Sequence, residues 1–307
     1  MNPAKAETFE DVFLATRPKL LALAYRITGS MSDAEEIAQE TAARALLHPP
    51  SEASGLAPWL IRIAANLAKD VLRRRRTRAY FGPWLPEPVD DEILSAQSDF
   101  ATPEMRYALA ESATLAFLCA LEALGPTERT VLVLRDALGL DVSEVANILG
   151  TTEGNVRVVH HRARKKLGAY DMARCIPDEA AKARTQVALM TLLQGMTSGD
   201  VGAVLNALDT NASLITDAAG EFTAAVVVLH GSERIARSEM QIVKHAQILH
   251  AKFVCVNGLP AVAITLTPKK RSDAPRSLFT IETNSAGRIV ALRHVLASPK
   301  LAHVRFA

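Results

Sequence analysis

Residues 142–166 read VSEVANILGTTEGNVRVVHHRARKK, and their spacing predicts two short helices joined by a tight turn. A helix-turn-helix needs a small residue where its helices approach, a glycine in the turn at positive φ, and an apolar residue on the second helix facing the first. Ala146, Gly150 and Val156 occupy those places, at offsets of four and six. The second helix then exposes Thr152, Glu153, Asn155, Arg157, His160, His161, Arg164 and Lys165, side chains that reach base edges and phosphates in a major groove. Arg162 and Lys166 extend the basic face. The bland alternative is a helical hairpin with a solvated charged end, against which turn, spacing and charge coincide.

Upstream, helical spacing of apolar residues runs from Phe9 to Leu47 and breaks at Gly29-Ser30-Met31-Ser32. Ser32 followed by Glu35 has the form of a capping box, which predicts a second helix from Asp33 with acids in its early turns, where the helix dipole favours them. After a loop with Pro49, Pro50, Gly55 and Pro58, a helix from Trp59 to Arg78 carries seven Lys or Arg against one acid, Asp70. Its unbroken run Arg73 to Arg76 points around the helix, so at least two guanidinium groups face any approaching phosphate backbone. Alone such a run is usually a solvated helix end. Trp59, Asn66 and Asp70 on the same helix, with the loop before it, suit single-stranded DNA, which is held by stacking, base pockets and a basic track.

Composition sets the frame. The chain has 307 residues, 49% hydrophobic and 22% charged, with a net charge of +2, an ordinary globular balance for two or three domains. Charge is arranged in blocks: the basic helix is followed by Glu87, Asp90, Asp91, Glu92, Asp99, Glu104 and Glu111. Cys119, Cys175 and Cys255 are far apart and form no metal-ligand spacing, so they read as structural thiols and no metal or cofactor is expected. The absence of a leader-like apolar run at Met1–Phe13, and of any long uncharged apolar stretch, points to a cytoplasmic chain without membrane contact.

Pro and Gly punctuate 80–103 as a linker. The fold expectation is therefore multidomain: an all-α bundle at 8–79, the linker, an all-α group with the helix-turn-helix at 104–170, and, beyond Pro177, an α+β domain at 178–301. In that last domain, helices at Glu179–Met196 and Val201–Leu208 precede strand-like runs at Ala212–Thr216, Phe222–Leu229, Lys252–Val256, Ala261–Thr267, Ser277–Thr283 and Ile289–Leu296. Such an order suggests a curved antiparallel sheet.

Asp33-Ala34-Glu35-Glu36-Ile37-Ala38-Gln39-Glu40-Thr41, then Trp59-Leu60-Ile61-Arg62-Ile63-Ala64-Ala65-Asn66 and the arginine run, resembles region 2 of extracytoplasmic-function sigma factors, within the sigma-70 family. Leu124-Gly125-Pro126-Thr127-Glu128-Arg129, leading into the helix-turn-helix, resembles their region 4. The resemblance implies that Asp33, Glu36, Gln39 and Glu40 meet core RNA polymerase. It also implies that the Leu47–Pro58 loop with Trp59, Arg62, Asn66, Asp70, Arg73, Arg74, Arg75 and Arg76 opens and reads the promoter −10 element, while Thr152 to Lys166 reads the −35 element. By itself the acidic stretch reads as a well-capped helix surface.

Trp84-Leu85-Pro86-Glu87-Pro88 looks like the linker signature of sigma factors that carry a C-terminal SnoaL-like, nuclear transport factor 2-like cone, and residues 180–297 have that cone's helix-then-strand order. Two segments match in part only: Asp217–Glu221, where relatives often have a glycine-rich turn ending in Lys, and Ser298–Leu301, where they have an Asn-Pro motif. Trp84, Leu85 and Pro86, on a stiff segment, are expected to anchor on the cone, which would regulate initiation in cis. Two other classes stay open. One is an enzyme or small-molecule-binding cone, with Asp217, His230, His245 and His294 as conceivable acids or bases though none lies in a catalytic motif; the other is a ligand-sensing helix-turn-helix regulator, which leaves the region 2 resemblance unexplained.

Overall fold

The computed structural model describes residues 8–47, 55–77, 80–92, 114–168, 178–245 and 247–306, without the side chains of 243–247. Most of the expected Leu47–Pro58 loop, the later part of the linker, the start of the helix expected from Glu104, Cys175, Pro177 and the His245 side chain lie outside them. The described residues form two compact units, one from the helices before residue 80 and residues 117–168, the other from 80–92, 114–116 and 178–306.

In the helical unit α1 (Phe9–Thr28), α2 (Met31–Leu47) and α3 (Leu56–Thr77) pack on one another. Leu20, Leu23 and Ile27 of α1 and Leu60 and Ala64 of α3, each three or four residues apart, are fully buried between them. The second helix starts two residues before the expected Asp33. Gly29 adopts φ 69°, which turns the chain so that Ser30 Oγ, not Ser32, accepts the Asp33 N–H at 3.0 Å. Then follow α4 (Leu115–Leu121), α5 (Pro126–Leu132) with a π-helical turn at Val133–Ala137, α6 (Val142–Leu149) and α7 (Glu153–Leu167).

The second unit has the expected α+β order: α8 (Glu179–Ser198), α9 (Val201–Ala207), β1 (Leu208–Asp217), β2 (Leu229–His230), α10 (Ser232–His245), β3 (Gln247–Val256), β4 (Leu259–Thr267), β5 (Arg276–Thr283) and β6 (Ile289–Val295), then a 3-10 turn at Ser298–Leu301. The strand order is β2-β1-β6-β5-β4-β3. The sheet is mixed rather than wholly antiparallel: α10 crosses over, β3 to β6 meander back, and β6 arrives alongside β1 in the same direction. Register shifts in β1/β6, β3/β4 and β5/β6 add the twist by which a sheet curves. Two expectations are corrected. Phe222–Leu229 is a strand only from Leu229, and α10 was not foreseen. On α10 the fully buried face runs from Ile235 to Glu239, so a carboxylate breaks the apolar stripe that marks a helix in sequence.

Candidate functional site

The helix-turn-helix forms on its own local chemistry. Asp141 and Glu144 cap α6 reciprocally, each side chain accepting the other's backbone N–H at 2.7 Å. Gly150 closes the helix at φ 61°, and Thr152 Oγ1 accepts the Asn155 N–H at 3.2 Å to open α7. Ala146 and Val156 are buried where the two helices meet. Among the α7 residues expected to read DNA, Thr152, Glu153, Asn155, Arg157, His161, Arg164 and Lys165 are exposed. His160 is half-buried, with Nε2 at 2.8 Å from Asp136, which also accepts from Arg164 Nε at 2.9 Å. The π-helical turn carries Asp136, so it orients α7 from behind; an isolated Asp has no periodicity by which this role could be read in advance.

On α3 the basic run divides. Arg75 is half-buried and donates to Asp33 and to the Thr28 carbonyl, both at 2.6 Å. Arg76 donates to the Leu124 carbonyl at 2.7 Å, and Arg73 pairs with Asp70 at 3.0 Å. Arg74 is exposed and has no ion pair among the described residues. Trp59 is half-buried, Arg62 and Asp70 are exposed, and Asn66 Nδ2 donates to the Ile148 carbonyl of α6 at 3.4 Å. Glu36, Gln39 and Glu40 are exposed together on α2, whereas Asp33 is engaged by Arg75. Behind them Arg129 is buried and donates to Glu122 and to the Arg26 carbonyl, tying α5 to α1.

In the second unit, residues 80–92 lie along the α+β domain and close on Asp217, at the end of β1. The fully buried Asp217 carboxylate accepts from the Tyr80 hydroxyl at 2.6 Å, the Leu85 N–H at 2.7 Å, Lys300 Nζ at 2.6 Å and the Ala219 N–H at 3.2 Å. Lys300 also donates to the Leu85 carbonyl, and its ammonium stands 4.3 Å from the Trp84 ring centroid and 5.0 Å from that of Tyr80. Further along, Val89 exchanges hydrogen bonds with Asn257, the Gly258 N–H donates to Asp91, and Arg305 grips Asp90 and Glu92. Leu85 and Pro86 are buried as anchors, but Trp84 is half-buried and serves mainly as a face for Lys300. The partly matching segments thus meet: Asp217 from one, Lys300 from the other, and Glu221 accepting the Ser298 N–H at 3.2 Å.

The concave side of the same domain holds a cavity of about 640 Å³, lined by Leu229, Ile264, Leu266, Phe279 and His294 among others. Of the conceivable acids and bases, Asp217 is taken up by the linker and His230 is exposed outside the cavity. His294 lines it, with Nε2 at 3.5 Å from Glu239 Oε2, a partner unforeseen in the sequence. Among the described residues no group of three or more His, Cys, Asp or Glu is placed to hold a metal, and no helix is long and apolar enough to cross a membrane.

Against known proteins, residues 12–78 match the model of sigma-70 region 2 and residues 114–167 that of sigma-70 region 4. The chain is similar to the ECF RNA polymerase sigma factor SigJ of Mycobacterium tuberculosis, at 32% identity over 76% of this chain and 72% of that one. A second relative from that organism carries the name Probable ECF RNA polymerase sigma factor SigI and is 30% identical over 93% of this chain and 91% of its own. The crystal structure of Mycobacterium tuberculosis SigJ, an extracytoplasmic function sigma factor, superposes with a TM-score of 0.70 at 26% identity, covering 95% of this chain and 97% of that one. Likeness that runs through both helical regions and on through the α+β domain leaves one family: the chain belongs to the extracytoplasmic-function RNA polymerase sigma factors, which bind core polymerase and promoter DNA.

Proposed function

We propose that this sigma factor reads its promoter through α3 and α7 and is governed in cis by its C-terminal domain, acting through the linker. On this reading the acidic face of α2, with Glu36, Gln39 and Glu40 outermost, meets core polymerase. Arg62, Asn66, Asp70 and Arg74 contact the opened −10 strand, with Trp59 as stacking platform. Asn155, Arg157, His161 and Lys165 reach the −35 duplex. Asp33, Arg75 and His160 hold those faces in shape rather than touching a partner themselves.

The observation that carries the regulatory reading is the clasp on Asp217. It captures residues 80–92, thirteen of the thirty-seven between Thr77 and Leu115. Extended, thirteen residues span on the order of 43 Å, and docking removes that reach from the tether joining α3 to α4. The reach matters because α3 and α6 touch through Asn66 and Ile148. The −10 and −35 elements, by their names about 25 nucleotides apart, are separated by on the order of 85 Å at roughly 3.4 Å per step. Both elements are read together only after the two helices part. Single-round run-off transcription by core polymerase tests this with the Trp84→Ala/Leu85→Ala variant, which loosens the linker and leaves the C-terminal domain's own core intact. More transcript at unchanged affinity for core polymerase is expected; an unchanged yield makes the domain a separate module and overturns the reading.

A small-molecule partner for the C-terminal domain is the second reading, favoured by the cavity around His294. Asp217 is not available to a catalytic reading, because its carboxylate is taken up by Tyr80, Leu85, Lys300 and Ala219.

A further inference from the structure

The cavity of the C-terminal domain offers an occupant an apolar lining with two kinds of polar contact. The apolar lining includes Met196, Leu229, Ile264, Leu266, Phe279 and Leu296, and the volume of about 640 Å³ lies within the range of small-molecule sites. The charged contact comes from α10, which presents Arg234 and Arg237, three residues apart and so on one helical face. Both line the cavity yet are exposed, which places them at its mouth. Among the described residues neither guanidinium has an acidic partner. Among the described lining residues the one carboxylate is Asp273, turned to the backbone N–H groups of Lys269 and Lys270 at 3.1 and 2.9 Å, so two arginines against one acid leave the lining net positive.

The second polar contact in the lining is His294. His294, 2% exposed, rests against Phe279 with ring centroids 3.8 Å apart, and behind it stands Glu239, 0% exposed. Among the described residues neither carboxyl oxygen of Glu239 nor Nε2 of His294 has a hydrogen-bond partner, although Oε2 and Nε2 approach to 3.5 Å. That approach is an ion-pair distance, but burial acts on both groups toward their neutral forms. It pushes the Glu239 carboxyl up to about 8 and the His294 imidazole down to about 3. Buried polar groups are normally paired, and of these two His294 is the one that lines the cavity and so can meet a guest atom.

We propose that this cavity binds a small, mostly apolar organic acid, whose carboxylate is held by Arg234 and Arg237 and which offers an uncharged oxygen to His294. The proposal rests on the reading that the domain has a small-molecule partner and supplies its chemical class. Two cations at the mouth recognise an anion through charge-assisted hydrogen bonds; the apolar lining rewards the hydrocarbon; and a neutral imidazole accepts or donates one hydrogen bond without demanding a second charge.

Isothermal titration calorimetry on the full chain with decanol, decanoate and 10-hydroxydecanoate tests each part without polymerase, so the outcome is independent of whether the linker regulates transcription. Decanoate is expected to bind at least ten-fold more tightly than decanol, and 10-hydroxydecanoate several-fold more tightly than decanoate. Exposed Arg234→Gln/Arg237→Gln, which leaves the fold untouched, should bring decanoate to the level of decanol. His294→Phe should erase only the gain from the hydroxyl, and Ala225→Trp, which fills the cavity, should abolish binding of all three. Equal affinity for decanol and decanoate, absence of binding by all three probes, a hydroxyl gain that persists in His294→Phe, or binding that survives Ala225→Trp would each overturn the proposal.

Discussion

Lys300 and Asp217 meet at 2.6 Å in the interior of the C-terminal unit, and each also holds Leu85 of the linker, one at its carbonyl and the other at its N–H. A buried ion pair gains little over an apolar pair, but removal of one partner strands the other's charge at a cost of about 3 to 5 kcal/mol. Asp217→Asn is therefore expected to destabilise the C-terminal unit by that order, and Asp217→Asn/Lys300→Met to recover a large part of it. Urea unfolding followed by tryptophan fluorescence measures both; equal loss in the single and double variants would contradict the pairing.

The basic run of α3 should separate into two kinds of arginine. Arg74→Ala removes a charge that makes no internal bond, so it should weaken open-complex formation on all promoters alike and reduce the slope of log affinity against log salt by about one. Arg75→Ala breaks the bonds to Asp33 and Thr28 and should lower the melting temperature of the helical unit as its main effect. Filter binding across a salt series, paired with thermal melts, distinguishes them.

On α7, Arg157 is tied, among the described residues, to exposed Glu153, one turn back at 2.7 Å, a pair worth about 0.3 to 0.5 kcal/mol that exchanges easily for a base. Arg157→Ala is expected to cost about 1 to 3 kcal/mol at one −35 position and to relax specificity there. His160→Ala should instead loosen the packing on Asp136 and weaken all −35 sequences evenly. Competition between promoter variants in run-off assays reads the difference.

The Glu239 and His294 pair predicts a stability profile with a plateau. A carboxyl raised from 4.5 to about 8 in the folded state stabilises below pH 4.5 and loses that contribution as pH rises toward 8, because the unfolded chain releases its proton first. An imidazole lowered from 6.5 to about 3 contributes above pH 6.5 and loses it as pH falls toward 3. Between 4.5 and 6.5 the two slopes oppose each other. Stability should therefore be flat there, falling by about 2 kcal/mol between pH 6.5 and 8 at roughly 1.4 kcal/mol per unit, and falling again below 4.5. Glu239→Gln should flatten the alkaline limb and His294→Phe the acid limb, in denaturant melts across pH.

The sequence made the helix-turn-helix legible because its determinants are local: Ala146, Gly150 and Val156 each act within a turn or two. The same holds for the helix boundaries of α6 and α7. What escaped was non-local or negative in signal. The parallel pairing of β1 with β6 depends on how the intervening chain crosses over, and strand composition does not record direction. Glu239 interrupted the apolar face of α10 and hid the helix, and with it the cavity. Asp217 was visible as a candidate acid, but its role depends on Tyr80, Leu85 and Lys300, brought together only by the fold. The arginine run showed its charge in the sequence, not which guanidinium groups the fold would use for itself.

The clasp joins residues 215 positions apart in the chain, Leu85 and Lys300, and so orders events in time. Ribosomes add about 5 to 20 residues per second, which puts roughly 10 to 40 s between the appearance of the linker and that of the lysine that closes on it. During translation the region 2 and region 4 helices are complete while this bond is still unmade. A product cut short just before residue 300 lacks the lysine but keeps Asp217 with its bonds to Tyr80 and Leu85, so such a truncation should weaken the clasp where loss of the whole domain removes it.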